Sequence, residues 1–135
     1  RVLRERLGDT PQVLRDLSIS LNKVGDAASA LGRLEDAERA YAESLAVRRV
    51  LRERLGDTPQ VLRDLSISLN KVGDAASALG RLEEALNAYQ EAAILLRRLD
   101  HVFPGQEYAG WLIDVEAKYQ ATASAQAQGS GDHPS

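Results

Sequence analysis

The sequence predicts an all-α protein, built as a right-handed solenoid of helical hairpins that a C-terminal helix caps. Three observations lead to this prediction. A long segment occurs twice without a change, and glycine and proline recur at regular points between helices. Apolar residues also follow the alternating three- and four-residue spacing that places them on one face of a helix.

The repeat is the clearest of these signals. Residues 1–35 recur unchanged as residues 49–83, an offset of 48 residues. A period of this size is typical of solenoids, in which each unit packs only on its neighbours. Because the identity extends to every position, we interpret it as a recent duplication or gene conversion, with deliberate engineering as the alternative. Residues 1–8 match the end of a helix in the second copy, so we expect a fragment of a longer array.

Glycine and proline divide the chain into hairpins. In the run Gly8-Asp9-Thr10-Pro11, the glycine ends one helix and the aspartate or threonine caps the next. The proline lies in the first turn, where its missing N–H costs nothing. The second copy repeats this run at residues 56–59.

Each unit is therefore expected to contain two helices joined by a tight turn. Gly32 and Gly80 mark that turn. We assign residues 9–56 to the first unit and 57–103 to the second, and residues 1–8 to the end of a truncated preceding helix.

The two helices of a unit differ in their apolar faces. The first, about Thr10–Leu31, has a single apolar stripe and an opposite face that is mostly polar. The second, about Leu34–Leu55, is apolar over a wider arc, so we expect it to pack on two sides. The stripe residues of the first helix are Leu14, Leu17, Leu21, Val24, Ala28 and Leu31.

A different helix is predicted after the break at residues 101–105. We place it at about Gln106–Ala127 and assign residues 104–127 to a capping helix and 128–135 to a flexible tail. Its apolar face is formed by Tyr108, Trp111, Leu112, Val115 and Tyr119. Before the break, the second copy gains apolar side chains at Leu86, Ile94 and Leu96.

The small and aromatic residues of both units resemble the pattern of the tetratricopeptide repeat. In the first unit the matching residues are Leu21, Val24, Gly25, Ala28, Gly32, Ala37, Tyr41 and Ser44. In the second unit they are Leu69, Val72, Gly73, Ala76, Gly80, Ala85, Tyr89 and Ala92. The usual unit has 34 residues, and the longer unit here is similar to the kinesin-light-chain-like variant. The resemblance implies a binding scaffold whose first helices line a concave groove.

Mapped onto this chain, the groove would be lined by the polar faces of the first helices. We predict partner binding by Arg15, Ile19, Asn22, Lys23 and Asp26 and by the second-copy residues Arg63, Ile67, Asn70, Lys71 and Asp74. The asparagine and lysine suit a peptide backbone and a carboxylate, and the isoleucine supplies an apolar anchor. The alternative is a solvated face that duplication has copied.

One ligand class of the family is not expected. The family's clamp for a C-terminal carboxylate uses a lysine and an asparagine four residues apart in the first helix. Asn22 and Asp26 occupy those positions, and an aspartate repels a carboxylate. We therefore predict against that ligand.

Three other groups of residues favour structural interpretations. The basic cluster around Arg48, Arg49, Arg52 and Arg54 suits the negative end of a helix rather than a phosphate site. The acidic residues that begin each second helix suit the positive end. Trp111 is expected in the core rather than in a ligand site.

Composition excludes several functional classes. The chain has no cysteine and no methionine, and its two histidines have no neighbours at metal-ligand spacing. We therefore expect no enzyme, no cofactor and no metal site. The net charge of −3 argues against nucleic-acid binding, and no apolar run or signal peptide indicates a membrane. We expect a cytoplasmic protein.

The functional prediction is a non-catalytic scaffold that binds a peptide or helix of a protein partner. The alternative is a structural repeat that self-assembles, either by stacking end to end or by swapping hairpins. Such a homo-oligomer would form through the open ends of the array.

Overall fold

The computed structural model describes residues 10–131. These residues form five helices: α1 Pro11–Ala30, α2 Leu34–Leu55, α3 Pro59–Ala78, α4 Leu82–Val102 and α5 Tyr108–Gly131. Each helix packs on the one that follows it, which confirms the all-α helical-repeat solenoid. The predicted helix end at residues 1–8 and the last residues of the predicted tail lie outside the described residues.

The first helix of each unit begins at a threonine cap. The hydroxyl Oγ1 of Thr10 accepts a hydrogen bond from the Val13 backbone N–H at 3.2 Å, and Thr58 accepts one from Val61 at 3.1 Å. A proline follows each threonine in the first helical turn. These caps satisfy backbone donors that no helical carbonyl reaches.

The turn inside each unit depends on a glycine. Gly32 and Gly80 both have a φ of 77°, in the left-handed region that side chains with a Cβ avoid. After Gly32 the chain turns back, and the Arg33 N–H donates to the carbonyl of Ala28 at 2.9 Å. The hairpin turn is thus closed by local hydrogen bonds.

Within each hairpin, a glycine lies directly beneath a tyrosine ring. A Cβ placed on Gly73 would lie 2.5 Å from Cε1 of Tyr89, well inside contact distance. Gly25 and Tyr41 are arranged in the same way. The two helices of a unit therefore approach closely only because these positions lack a side chain.

Helix boundaries follow the predictions with small differences. Predicted and observed bounds agree for α2, and α1 is one residue shorter at each end than predicted. The last helix extends to Gly131, so residues 128–131 are helical rather than part of a tail. Gln126, in the last turns of this helix, hydrogen-bonds Glu83 of α4 at 2.9 Å.

Two helices of identical sequence have different environments. Two apolar residues of the first unit are exposed: Val24 on α1 is 58% exposed, and Leu31, which directly follows α1, is 71% exposed. Their counterparts in the second unit, Val72 on α3 and Leu79 directly after it, are partly buried. Members of the same predicted apolar stripe therefore differ in burial, because α3 packs between α2 and α4 whereas α1 packs on α2.

Among residues 10–131, no helix combines the length and the apolar character needed to cross a membrane.

Candidate binding groove

A groove of about 280 Å³ lies between α3 and α5, above α4. Its apolar part is formed by Ile67, Leu96, Trp111 and Val115. Its polar part is formed by Ser66, Asn70, Lys71, Asp74 and Asp114. An apolar floor with a polar rim is the usual composition of a site that binds peptides or small molecules.

Four of the ten predicted binding residues meet in this groove: Ile67, Asn70, Lys71 and Asp74. A fifth, Arg63, lies beside it. Its guanidinium carbon is 5.2 Å from the centre of the Trp111 ring, a cation–π arrangement, and it pairs with Glu107 at 3.4 Å. Trp111 also meets Tyr108 edge to face, with 5.7 Å between ring centres.

The first-copy residues have different surroundings. Arg15 donates to the buried carboxylate of Asp64 at 3.0 Å, so it contacts the next unit. Ile19 is partly buried, and Lys23 and Asp26 are exposed. Asn22 is only 7% exposed, so its predicted place on an open face is wrong. Its Oδ1 has no hydrogen-bond partner among the described residues.

A chain of hydrogen bonds links successive first helices along the groove side. The Tyr41 hydroxyl donates to Asp26 at 2.5 Å, and Lys71 of the next unit donates to the same carboxylate at 2.8 Å. The arrangement recurs: the Tyr89 hydroxyl donates to Asp74 at 2.6 Å, and Lys118 of α5 donates to it at 3.2 Å. Each Tyr–Asp–Lys triad therefore joins one unit to the next.

The triads also shift the pKa values of Tyr41, Tyr89 and Asp26. Burial and the hydrogen bond to Asp26 raise the pKa of Tyr41, and burial and the bond to Asp74 raise that of Tyr89. Burial acts to raise the pKa of the Asp26 carboxyl, but the hydrogen bonds from Lys71 and Tyr41 lower it overall. Asp26 is thus held as an anion that accepts from both neighbours.

Helix α5 supplies groove residues that the sequence analysis did not identify. Lys118 bonds Asn70 at 3.0 Å as well as Asp74, and Trp111 and Asp114 line the groove. Lys118 donates to Asp74 of the second unit as Lys71 donates to Asp26 of the first, and the two lysines are 47 residues apart. Aligning the last helix with the first helices of the units would have revealed this role. Helix α5 therefore occupies the place that the first helix of a third unit would have, and it also covers α4.

Arg48 contradicts its sequence interpretation. It was predicted to belong to a basic cluster that suits the negative end of a helix, yet it lies within α2 and is 4% exposed. Its Nε donates to the Ser18 hydroxyl at 3.0 Å, and its Nη1 donates to the Ser68 hydroxyl at 2.8 Å and to the Asp64 carbonyl at 2.9 Å. Burial lowers the pKa of Arg48, and the nearby Asp64 charge opposes this shift. Three acceptors offset the cost of burying the guanidinium.

These contacts form a polar joint between the two units. We call the set Ser18, Ser44, Arg48, Asp64 and Ser68 the arginine joint. Ser44 donates to the Ser18 carbonyl at 2.9 Å and lies 3.3 Å from the Ser68 hydroxyl. All five residues are buried, and they come from α1, α2 and α3.

A second depression, of about 370 Å³, lies between α4 and α5. Its lining includes Ile94, Arg97, Glu116 and Tyr119, and none of the ten predicted binding residues contributes to it. The groove between α3 and α5 is therefore the better candidate, although it is the smaller of the two.

Comparison with known protein families gives one match. A family model described as tetratricopeptide repeat matches residues 16–98, which span most of both units. Neither the curated proteins nor the solved structures give a significant match to the chain.

Proposed function

The chain belongs to the tetratricopeptide repeat family, and from this premise we propose that it is a scaffold whose groove between α3 and α5 binds a protein partner. The family is a non-catalytic repeat that mediates protein–protein interaction. A peptide or a helix of the partner would lie along the groove.

The observation that carries this proposal is the composition of the groove. Ile67, Leu96 and Val115 give it an apolar floor that suits one apolar side chain of a partner. The partly exposed amide of Asn70 lies at the rim and suits hydrogen bonds to a peptide backbone. Apolar burial would supply the affinity, and these polar contacts would orient the peptide.

The charges at the rim favour some partners over others. Asp74 and Asp114 lie on this rim, and the Asp114 side chain is 64% exposed with Lys118 at 3.5 Å. Lys71 is already bonded to Asp26. The rim therefore suits an uncharged or basic peptide better than a free carboxylate.

The test is peptide selection followed by a groove substitution. Peptides selected from a random display library would be titrated against the protein, with the fluorescence of its single tryptophan, Trp111, as the signal. Ile67→Glu places a charge on the floor and is expected to weaken binding at least about ten-fold, or about 1.4 kcal/mol. Equal affinity for Ile67→Glu and the unsubstituted protein would contradict the groove as the site.

The control is the same change outside the groove. Ile113 is 69% exposed on α5 and does not line the groove. Ile113→Glu should leave peptide affinity unchanged. Circular dichroism melts of both variants separate loss of binding from loss of fold.

Self-assembly is the second candidate function. It is favoured by the exposed apolar side chains of Val24 on α1 and of Leu31 directly after it, because such residues mark interaction surfaces when they are contiguous. A concentration series by light scattering tests it. A strict monomer at high concentration would overturn this candidate and leave the scaffold proposal unaffected.

A further inference from the structure

We propose that a small cleft beside the arginine joint binds a carboxylate group, with the guanidiniums of Arg15 and Arg48 as the donors. The cleft has a volume of about 80 Å³ and lies between the first turns of α1 and α3, next to the last turns of α2. It shares no lining residue with the groove between α3 and α5. The proposal therefore does not depend on the proposed function.

The buried arginine of the joint has hydrogen-bond donors that the joint does not use. Arg48 is 4% exposed, and its Nε and Nη1 donate to the acceptors on Ser18, Asp64 and Ser68. Its Nη2 has no hydrogen-bond partner among residues 10–131. Because Arg48 lines the cleft, the two N–H groups of Nη2 are the donors left for a ligand there.

Arg15 supplies a second guanidinium to the same cleft. Its Nε donates to the Asp64 carboxylate at 3.0 Å, and its two Nη atoms have no hydrogen-bond partner in the described part of the chain. Burial lowers the pKa of Arg48, Asp64 opposes this shift, and the Arg15 charge adds to it. The two cations are therefore close enough to repel each other, and an anion between them would offset that repulsion.

The charges around the cleft favour a monovalent anion. Two arginines face one aspartate, Asp64, among the lining residues. The first turns of α1 and α3 add two positive helix ends, against the one negative end of α2. This small excess of positive charge suits a single carboxylate better than a dianion such as sulfate.

The other walls of the cleft suit the apolar part of a small carboxylate. They are formed by Pro11, Leu51, Leu55 and Val61. One water needs about 10–15 Å³ of such volume, so the cleft has room for a carboxylate with one or two further carbons, and a halide would leave much of it unfilled. The planar guanidinium fork also matches the two oxygens of a carboxylate.

The joint between the second unit and α5 lacks this pair of arginines. Leu96 stands at the position of Arg48. Arg63, the counterpart of Arg15, lies over the Trp111 ring and pairs with Glu107. Arg15 and Arg63 therefore form a matched pair for the experiment, at the same position of two helices with identical sequence.

The experiment is a titration with sodium acetate at neutral pH, followed by the NMR signal of the Arg48 Nε–H. Sodium sulfate keeps the ionic strength constant. We expect the signal to shift and to saturate with a dissociation constant of about 1–10 mM, a range open to so small a ligand. Sodium chloride should bind at least about ten-fold more weakly. The absence of a saturable shift with acetate would overturn the proposal, and equal affinity for chloride would overturn the assignment to a carboxylate.

Substitutions then locate the site. Arg15→Gln removes one guanidinium and should weaken acetate binding by about ten-fold, whereas Arg63→Gln should leave it unchanged. Equal affinity of Arg15→Gln and the parent would overturn the proposal. Circular dichroism melts show whether both variants are folded.

A variant of the joint itself gives an independent readout. Acetate should raise the melting temperature of the parent, but not that of the triple variant Arg48→Leu, Ser44→Ala and Ser68→Val, which has the residue types of the second joint. An equal rise in both proteins would place acetate elsewhere and overturn the proposal.

A second ligand separates the two sources of a carboxylate. The end-blocked tripeptide Gly-Glu-Gly presents the same group on a peptide. Binding at least as tight as that of acetate would assign the cleft to an acidic side chain of a protein partner. Binding of acetate alone would assign it to a small free carboxylate.

Discussion

Arg48 and Leu96 stand at the same position of the two units, 48 residues apart, and both are buried, at 4% and 1% exposure. Their neighbours match them. The Ser68 hydroxyl accepts from the arginine and lies 3.3 Å from the Ser44 hydroxyl, whereas Ala92 and Val115 belong to the apolar cluster that contains Leu96. One fold therefore contains two kinds of joint, one polar and one apolar.

The first prediction concerns the replacement of the polar joint by the residue types of the apolar joint. Arg48→Leu removes the donor to three buried acceptors and should lower the free energy of unfolding by about 1–3 kcal/mol. Adding Ser44→Ala and Ser68→Val introduces the residue types of the apolar joint, and the Ser18 hydroxyl keeps its hydrogen bond to the Arg15 carbonyl, so the triple variant should recover most of that loss. Urea denaturation of all the combinations measures the coupling. Strictly additive effects would show that the joint is not a cooperative unit.

The second prediction uses the two identical helices as controls for each other. Leu65 is fully buried on α3, and its counterpart Leu17 on α1 is only partly buried. Leu65→Ala should cost about 2–5 kcal/mol, and Leu17→Ala less than half as much. Because the local sequences are the same, helix propensity cancels from the comparison. Equal losses in urea denaturation would contradict the difference in packing.

The third prediction concerns the contact between glycine and tyrosine. Gly73→Ala forces the Tyr89 ring to move and should destabilise the protein by about 1–3 kcal/mol. Gly110 also lies in a helix, but a Cβ there would meet nothing within 4 Å. Gly110→Ala should stabilise by about 0.5–1 kcal/mol, the gain in helix propensity. Thermal melts of both variants test the sign, and a stabilising Gly73→Ala would rule out the close approach.

The fourth prediction concerns pH. Hydrogen bonds from Arg52 and Arg98, at 2.7 and 2.6 Å, lower the pKa of Asp57 from 3.8 to about 2. Because the pKa is lower in the folded state, its contribution is fully present above pH 3.8 and is lost as the pH falls towards 2. Asp57→Asn should therefore be less stable than the parent at pH 7, with a difference that shrinks below pH 3.8.

Chemical denaturation at a series of pH values measures this difference. High salt should reduce it as well, because the carboxylate is exposed and its ion pairs are screened. A gap between the two proteins that stays constant down to pH 2 would mean that Asp57 does not stabilise the fold through its charge.

Local signals in the sequence were enough to predict the helices and their order. Threonine–proline caps, glycines with positive φ and the spacing of apolar residues act within a few positions of the chain. The bounds of α2 followed from them. The same signals placed Ile67, Asn70, Lys71 and Asp74 on one face, and these residues line the groove.

Contacts between units could not be predicted in this way. The burial of Arg48 depends on acceptors up to 30 residues away, on two other helices. The place of Lys118 and Trp111 in the groove depends on how α5 packs beside α3. A pattern of apolar residues shows which face of a helix is buried, but it does not show which polar residues meet across a joint.

The sequence by itself determined the helical repeat, the turns and the family, because these depend on spacings that a single chain displays. Only the tertiary structure decided which of two identical helices is buried. No property of the sequence of α1 or α3 distinguishes them, yet Leu65 is fully buried while Val24 remains 58% exposed. The burial of a helix depends on which helices pack against it, and α3 has a helix packed on both sides.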